Sequence, residues 1–482
     1  MSGAALLADL ASLGPELMLS GAGILVVLLD AMAPRLTRLW VPLALLAAAA
    51  AGVSLALDRW GAGESFGGFV ERTPVTTFLS LVVLLAGALA LMASQAWLRR
   101  ERIGAGEYAA LMLWCMVGLL LMVRAVELLT LFLALELLSF CLYALAAYHR
   151  RLPMASEAGL KYFLMGAFVS AFVLLGIALL YGETGSTRLA LVAAEIARGG
   201  ATPVLVTLGF LLLVAGFGFK MSLAPFHAWA PDTYQGAPSP FVAFLSVAPK
   251  VAAAFVLVRL LLALGEAGLV GDWRPLVAFL AVLSMAVGNL LALVQKDIKR
   301  MLAYSGIAHM GYLLIPLVVL DAEALQAILV YLLAYALMNA GAFAVVALLF
   351  ARPGEQHLIS ELSGWGYRFP FLGFCLTVCL LSLGGIPPTL GFLGKYFVFA
   401  HAIGHGALWL AVVGIAASLV GIVYYLRVVY VLYMKPEVAA PEGLLIDSWG
   451  RLSVALAAAG TLVLGLFPAW LLGWLQRATS GL

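Results

Sequence analysis

The stretch TPVLVTLGFLLLVAGFGFKMSLAPFH (residues 202–227) is an apolar, membrane-length run that carries one lysine, Lys220, shortly before a proline. Pro225 lacks a backbone hydrogen-bond donor, and Gly216 and Gly218 weaken a helix, so we expect a regular helix to break here. A broken backbone at membrane depth is tolerated only where protein or water satisfies its polar groups. The stretch therefore predicts a bundle of membrane helices with a polar interior.

A second stretch, GGIPPTLGFLGK (residues 384–395), has the same pattern of glycine and proline before a lysine, Lys395. Lys220 and Lys395 are 175 positions apart, and the same offset from Glu136 ends two residues beyond His309. Interrupted apolar segments at matching places in two halves are typical of transporters built from inverted repeats. We therefore predict two inverted five-helix repeats, each with a broken helix, at about 108–263 and 275–433 of a single membrane domain, 1–482.

The composition places the whole chain in a membrane. Of its 482 residues, 65% are hydrophobic and 11% are charged, whereas soluble domains carry roughly 25% charged residues. A membrane span needs roughly 20 apolar residues, and such windows predict an all-α polytopic protein with about fourteen transmembrane helices. The windows are 15–33, 40–57, 74–97, 108–124, 127–148, 158–181, 202–224, 236–263, 275–294, 301–320, 324–351, 370–403 with a break, 407–433 and 450–476. The net charge of +3 is dispersed, without a basic run, which argues against a nucleic-acid partner.

The distribution of Lys and Arg among the predicted loops indicates the orientation. Fourteen of these cations, among them Arg35, Lys299 and Arg352, fall on one side, and seven, among them Arg59 and Arg124, fall on the other. Cytoplasmic loops carry the excess of Lys and Arg. We therefore predict that both termini lie on the outer face of the membrane.

Four ionisable residues lie inside the apolar windows: Glu136, Lys220, Lys250 and Lys395. A charge near the bilayer centre costs at least about 2.5 kcal/mol, so each must face protein or water and is a candidate functional group. Changing the distance between a buried lysine and a carboxylate changes the affinity of the lysine for a proton, which suits such residues to proton transfer. The alternative for each is a structural ion pair that only packs the helices together.

Two further residues each have two interpretations that the sequence supports equally. Lys161 follows Glu157 by four positions, so it either pairs with that carboxylate or takes part in transport. His309 is either a proton relay, since histidine titrates near neutrality, or a neutral hydrogen-bonded packing residue. Polar residues that could connect the charged positions are Tyr234, Ser246, Asn289, Tyr331, Tyr335 and Asn339.

The cysteines do not indicate a metal site. Cys115, Cys141, Cys375 and Cys379 all lie in apolar windows, and no histidine or further cysteine completes a ligand set with them. We expect them to be small buried side chains and predict no metal ligands.

The segment from Lys220 through PFHAWAPDTYQGAPSP (225–240) to VAPK (247–250) resembles the signature of the antiporter-like membrane subunits of respiratory complex I, the proton-translocating NADH:quinone oxidoreductase. Those subunits are related to subunits of multisubunit sodium/proton antiporters. The loop QKDIKRMLAYS (295–305), with His309 after it, is also similar to the family pattern. The resemblance extends along nearly the whole chain.

The resemblance implies a role for each candidate residue. Glu136 and Lys220 would form the coupled pair of the inner half-channel, Lys250 would be the central relay, and Lys395 would be the terminal proton donor toward the outer half-channel. Lys161 and His309 match further positions on the polar axis.

The resemblance also implies the setting of the chain. It would be a translocase subunit in a bacterial inner membrane, with its termini in the periplasm and no redox chemistry of its own. NADH, FMN, iron–sulfur clusters and quinone would be held by partner subunits, and the chain itself would bind no cofactor. Its partners would be other membrane-arm subunits, including the M-type antiporter-like subunit and small membrane subunits, together with the lipid bilayer. The alternatives are a subunit of a multisubunit sodium/proton antiporter and a packing subunit without its own channel.

Overall fold

The computed structural model describes residues 9–33, 36–57, 63–265, 267, 272–350, 357–439 and 446–479. Arg35, Arg59 and Arg352, which contributed to the predicted orientation, lie outside these ranges, as do the predicted domain limits at 1 and 482.

The first half of the described chain contains eleven helices and one short hairpin. The hairpin pairs β1 (Gly63–Ser65) with β2 (Val70–Arg72) in antiparallel register and was not predicted, because strands of three residues leave no periodic pattern. The helices are α1 (Gly14–Met32), α2 (Trp40–Ala56), α3 (Pro74–Glu101), α4 (Ala105–Arg124), α5 (Leu128–Ala146), α6 (Pro153–Thr184), α7 (Leu189–Ala197), α8 (Pro203–Met221), α9 (Trp229–Gly236), α10 (Ser239–Leu245) and α11 (Ala248–Gly265).

Helices form most of the second half of the described chain. Asp297 and Asp321 accept backbone N–H groups at the first turns of α13 and α14, which marks where these helices begin. The helices are α12 (Arg274–Val294), α13 (Ile298–Leu314), α14 (Ala322–Leu349), α15 (Trp365–Arg368), α16 (Pro370–Gly384), α17 (Leu390–Gly404), α18 (Leu408–Met434), α19 (Ser448–Leu466) and α20 (Ala469–Thr479), with 3-10 turns at Pro316–Val318 and Ile359–Leu362.

The predicted all-α polytopic class is confirmed. Within the described ranges, 12 helical segments are long and apolar enough to cross a membrane, and α2, α16 and α17 are shorter apolar helices. A total of fourteen crossings follows if α2 crosses and if α16 and α17 form one interrupted crossing. That count and the division into inverted repeats stay predictions.

The centre of the bundle is formed by α14 and by the segment Ser239–Gly265. The apolar window of each is 100% buried within the chain, whereas that of α1 is 28% buried. Helices that are apolar on all sides belong in the interior of a bundle, and helices at its edge face lipid. Lys250 and His309 both form hydrogen bonds with tyrosines of α14.

Both predicted breaks interrupt a helix. After α8, Ser222 adopts a left-handed φ of 61°, and the next helix, α9, begins only at Trp229. After α16, Gly385 has a φ of 79°, a conformation that glycine adopts without a steric penalty, and α17 begins at Leu390. Two further interruptions were not predicted. The window 236–263 is divided into α10 and α11 at Ser246 and Val247, and the window 450–476 is divided into α19 and α20 at Pro468, which has no N–H to continue the first helix.

Arg124 and Glu16 form a buried ion pair between α4 and α1, with a distance of 2.6 Å between Nη1 and Oε1. We expect Arg124→Leu to lower the free energy of unfolding by about 3–5 kcal/mol, because it leaves the Glu16 carboxylate buried without its cation. The double variant Arg124→Leu/Glu16→Leu should recover most of that loss. The thermal unfolding midpoint of the purified protein in detergent checks this, and equal losses in both variants would contradict it.

Candidate functional site

Lys220 lies in the last turn of α8 and is buried. Its ammonium donates a hydrogen bond to Ser139 Oγ on α5, at 2.8 Å. It also lies 5.4 Å from the ring centres of both Tyr143 and Tyr162, within the range of cation–π attraction. The break that follows α8 thus places this charge against the faces of α5 and α6.

Glu136 lies on α5, one turn before Ser139, and is partly buried. Its carboxylate accepts a hydrogen bond from Ser170 of α6. Within the described residues it makes no salt bridge of 4.0 Å or less with Lys220. Glu136 and Lys220 thus each bind a serine, Ser170 and Ser139 respectively, and their coupling stays a prediction.

Lys250, near the start of α11, is 0% exposed. Its hydrogen-bond partner is the hydroxyl of Tyr335 on α14, at 3.4 Å, and the rings of Tyr234 and Tyr335 lie 5.8 and 5.7 Å away. Tyr335 in turn donates to the Ser246 carbonyl, and Asn339 donates to the Ser246 hydroxyl. Among the described residues, the Lys250 ammonium is thus held by neutral groups alone.

His309 on α13 joins two tyrosines. Its Nδ1 is 2.7 Å from the Tyr331 hydroxyl and its Nε2 is 3.1 Å from the Tyr425 hydroxyl. Its ring centre lies 5.5 Å from that of Tyr335, which contacts Lys250, and 5.7 Å from that of Tyr312. The imidazole therefore lies between Tyr335, which contacts Lys250, and Tyr312.

Lys395 lies in α17, beside the second break. Its ammonium donates to the carbonyls of Leu383 and Gly384, at 2.9 and 3.0 Å, and to the Ser418 hydroxyl at 2.7 Å. These carbonyls end α16 and have no partner within that helix, so they form the negative end of its dipole. The break thus supplies the carbonyl acceptors that hold the Lys395 ammonium. The centre of the Tyr312 ring lies 5.1 Å from that ammonium.

Aromatic side chains connect these sites in one buried series. Between Lys220 and Lys250 the Tyr162 ring stacks on Trp229 at 4.4 Å, and Trp229 lies 6.0 Å from Tyr234. The hydroxyl of Tyr162 is buried without a hydrogen-bond partner among the described groups. The members of the series, in order, are Lys220, Tyr162, Trp229, Tyr234, Lys250, Tyr335, His309, Tyr312 and Lys395.

Lys161 has a different environment. Its side chain is 45% exposed and forms ion pairs with Glu157 at 2.8 Å and with Asp232 at 3.0 Å. Asp232 also pairs with Arg300 at 2.6 Å. Burial alone would raise the pKa of Asp232, but the two cations hold it below its usual range. Lys161 thus forms the ion pair with Glu157 that was one of its two interpretations from the sequence. It also pairs with the carboxylate of Asp232 on α9.

Several contributing residues were not predicted. Ser139, Tyr143, Tyr162, Tyr312, Ser418 and Tyr425 contact the charged groups directly. Lys299, counted among the loop cations, is instead buried in α13 and donates to the carbonyls of Gln235 and Ala237. For Ser139 and Tyr143, which follow Glu136, the available signal was their spacing of four positions, which places hydroxyl groups on one side of a helix.

Comparison with known proteins identifies relatives along the full chain. The family model described as NADH:quinone oxidoreductase/Mrp antiporter, TM, matches residues 125–421. A protein of Trichlorobacter lovleyi named NADH-quinone oxidoreductase subunit N is 40% identical, over 97% of this chain and 96% of its own length.

Two solved structures have the same fold. A chain of respiratory complex I from Thermus thermophilus with bound aureothin is 35% identical, with a TM-score of 0.81 over 95% of this chain and 98% of its own. A chain of the Mrp complex from Dietzia sp. DQ12-45-1b is 19% identical, with a TM-score of 0.82 over 100% of this chain and 98% of its own, and shows the fold alone. The chain therefore belongs to the NADH:quinone oxidoreductase/Mrp antiporter family of membrane proteins.

Proposed function

We propose that this chain is the N-type, proton-translocating membrane subunit of an NADH:quinone oxidoreductase, and that it moves protons along Lys220, Lys250, His309 and Lys395. The relatives at about 40% identity carry the subunit name. The observation that carries the path is the buried aromatic and hydroxyl series that connects these four residues. Lys395 itself favours the N-type, because the M-type sister is expected to carry Glu at this position.

The partners of the lysines support proton transfer. An ammonium beside a carboxylate keeps its proton, whereas one held by neutral groups can release it when its surroundings change. Within the described ranges, Lys220, Lys250 and Lys395 are held by hydroxyls, carbonyls and ring faces. Each can therefore be loaded and unloaded without first separating from a salt bridge.

The series divides into two kinds of step. Hydrogen bonds join Lys250 to Tyr335 and His309 to Tyr331 and Tyr425. Between Lys220 and Lys250, and from Tyr335 through His309 and Tyr312 to Lys395, the contacts along the series involve rings, so a proton needs water at these places. Near Lys220 the Tyr162 hydroxyl is a suitable partner for such a water. Quinone reduction in other subunits would control the hydration between Lys220 and Lys250. Glu136 would modulate the affinity of Lys220 for its proton.

The remaining parts of the proposal concern the assembly. The chain belongs to a multi-pass membrane protein complex, and we propose a bacterial inner membrane, periplasmic termini and two inverted repeats at about 108–263 and 275–433. NADH, FMN, iron–sulfur clusters and quinone belong to partner subunits. Its neighbours are the M-type subunit and small membrane subunits. Lys161, which is exposed and paired, has a supporting role.

A sodium/proton antiporter subunit is the second candidate function, since the Mrp chain has the same fold. Sodium-dependent proton exchange in proteoliposomes without NADH or quinone would favour it. A packing subunit without a channel is the third, and its signature is unchanged proton translocation after Lys250 and Lys395 are neutralised together.

Lys220 is buried and Lys161 is exposed, which predicts unequal effects of their replacement. We expect Lys220→Met to abolish most proton translocation by the assembled enzyme, because the buried proton carrier is lost. Lys161→Met should retain most of it, because the exposed Lys161 is an ion-pair partner. The ratio of proton transport to NADH oxidation in proteoliposomes measures this. Normal pumping by an assembled Lys220→Met enzyme would contradict the path.

Gly306 allows a test without removing a charge. A Cβ at this position would lie 2.7 Å from Lys250 Nζ and 2.8 Å from the Tyr335 hydroxyl, both at the ends of side chains. We expect Gly306→Ala to fold and assemble but to displace the Lys250 ammonium and slow proton translocation. Gly182→Ala, which meets no atom within 4 Å, is the matched control. Equal pumping by both variants would contradict this expectation.

A further inference from the structure

Three potential metal ligands meet where α14 begins and α17 ends. Asp321 is the N-cap of α14, His401 lies in the last turn of α17, and His405 follows that helix directly. One ligand atom from each residue lies within 4.8 Å of the others. The predicted orientation assigns this end of both helices to the periplasmic face. The site lies outside the proton series described above.

The distances are close to those of a metal centre. His401 Nε2 lies 3.0 Å from Asp321 Oδ1, and His405 Nε2 lies 3.2 Å from Asp321 Oδ2. In a tetrahedral zinc site with bonds of about 2.0–2.2 Å, neighbouring ligand atoms are roughly 3.3–3.5 Å apart. Small side-chain movements would therefore admit an ion between them.

The ligands are held by partners of their own. His405 Nδ1 lies 2.9 Å from the His401 carbonyl, and since a carbonyl only accepts, this nitrogen carries a proton. A backbone carbonyl bound to the second ring nitrogen is the usual support of a metal-binding histidine. Asp321 Oδ1 accepts the Ala324 N–H at 2.7 Å, which fixes the carboxylate. The two imidazole rings stack with centres 4.3 Å apart.

This arrangement needs a cation. With its proton on Nδ1, neutral His405 presents the lone pair of Nε2 to a carboxylate oxygen, and two acceptors at 3.2 Å repel one another. Either a second proton on His405 or a metal ion resolves this repulsion. Two nitrogens and one oxygen suit a borderline ion such as Zn²⁺, whereas Mg²⁺ and Ca²⁺ prefer oxygen ligands alone.

We propose that Asp321, His401 and His405 form a three-ligand site for a divalent transition-metal ion, with a fourth coordination position open to water. The site would fasten the start of α14 to the end of α17, the helix that carries Lys395. It rests on the geometry of these side chains and does not depend on the proposed proton path.

The test is Zn²⁺ binding to the purified, complete assembly by equilibrium dialysis, with the metal counted by mass spectrometry. We expect His405→Gln and Asp321→Asn each to weaken one equivalent of Zn²⁺ at least about tenfold relative to the unmodified assembly. Asparagine is as good an N-cap as aspartate, so Asp321→Asn keeps the start of α14 if His405→Gln impairs assembly.

The matched control is Glu323→Gln, which removes an exposed carboxylate two residues from Asp321. It should bind Zn²⁺ as the unmodified assembly does. The same number of bound Zn²⁺ ions and the same affinities in all variants would overturn the proposal and leave a protonated His405 as the cation.

Discussion

The bilayer offers no hydrogen bonds, so each polar group at membrane depth must find its partner within the protein. This constraint explains why a buried cation lies at the second break. The break after α16 exposes the Leu383 and Gly384 carbonyls, and the Lys395 ammonium binds both. Each group satisfies the other. Without the Lys395 ammonium, the Leu383 and Gly384 carbonyls would lose this partner inside the bundle.

The same constraint distinguishes Lys250 from the buried cations that bind backbone carbonyls. Lys299 donates to the carbonyls of Gln235 and Ala237, and Arg427 donates to those of Leu293 and Gln295. The hydrogen bonds that these backbone carbonyls require account for both cations. Lys250 differs, because its hydrogen-bond partner is one phenol at 3.4 Å. No backbone acceptor among the described residues requires its charge. A costly buried cation that satisfies no backbone group is better explained by function than by packing.

The sequence was sufficient to predict the membrane class, the two breaks and the buried charges, because all of these interrupt long apolar runs. It could not predict which side chains surround the charges. Helix α14 is buried on every side, so its sequence has no polar face to show that Tyr331 approaches His309 and Tyr335 approaches Lys250. The contact of Lys161 with Glu157 could be seen from its spacing, whereas its contact with Asp232 bridges 71 positions.

The fold alone does not decide which ion is carried, since chains of complex I and of an Mrp complex match it with similar TM-scores. The partners of the buried residues are more informative. A desolvated Na⁺, like other hard cations, is stabilised by several oxygen ligands, with carboxylates among the strongest. At the centre of this series the groups are the Lys250 ammonium, an imidazole and phenols, and the described residues bring no carboxylate into hydrogen-bond contact with Lys250. An ammonium repels Na⁺ but can itself hold and release a proton. The chemistry at Lys250 therefore favours protons as the ion that crosses the middle of this chain.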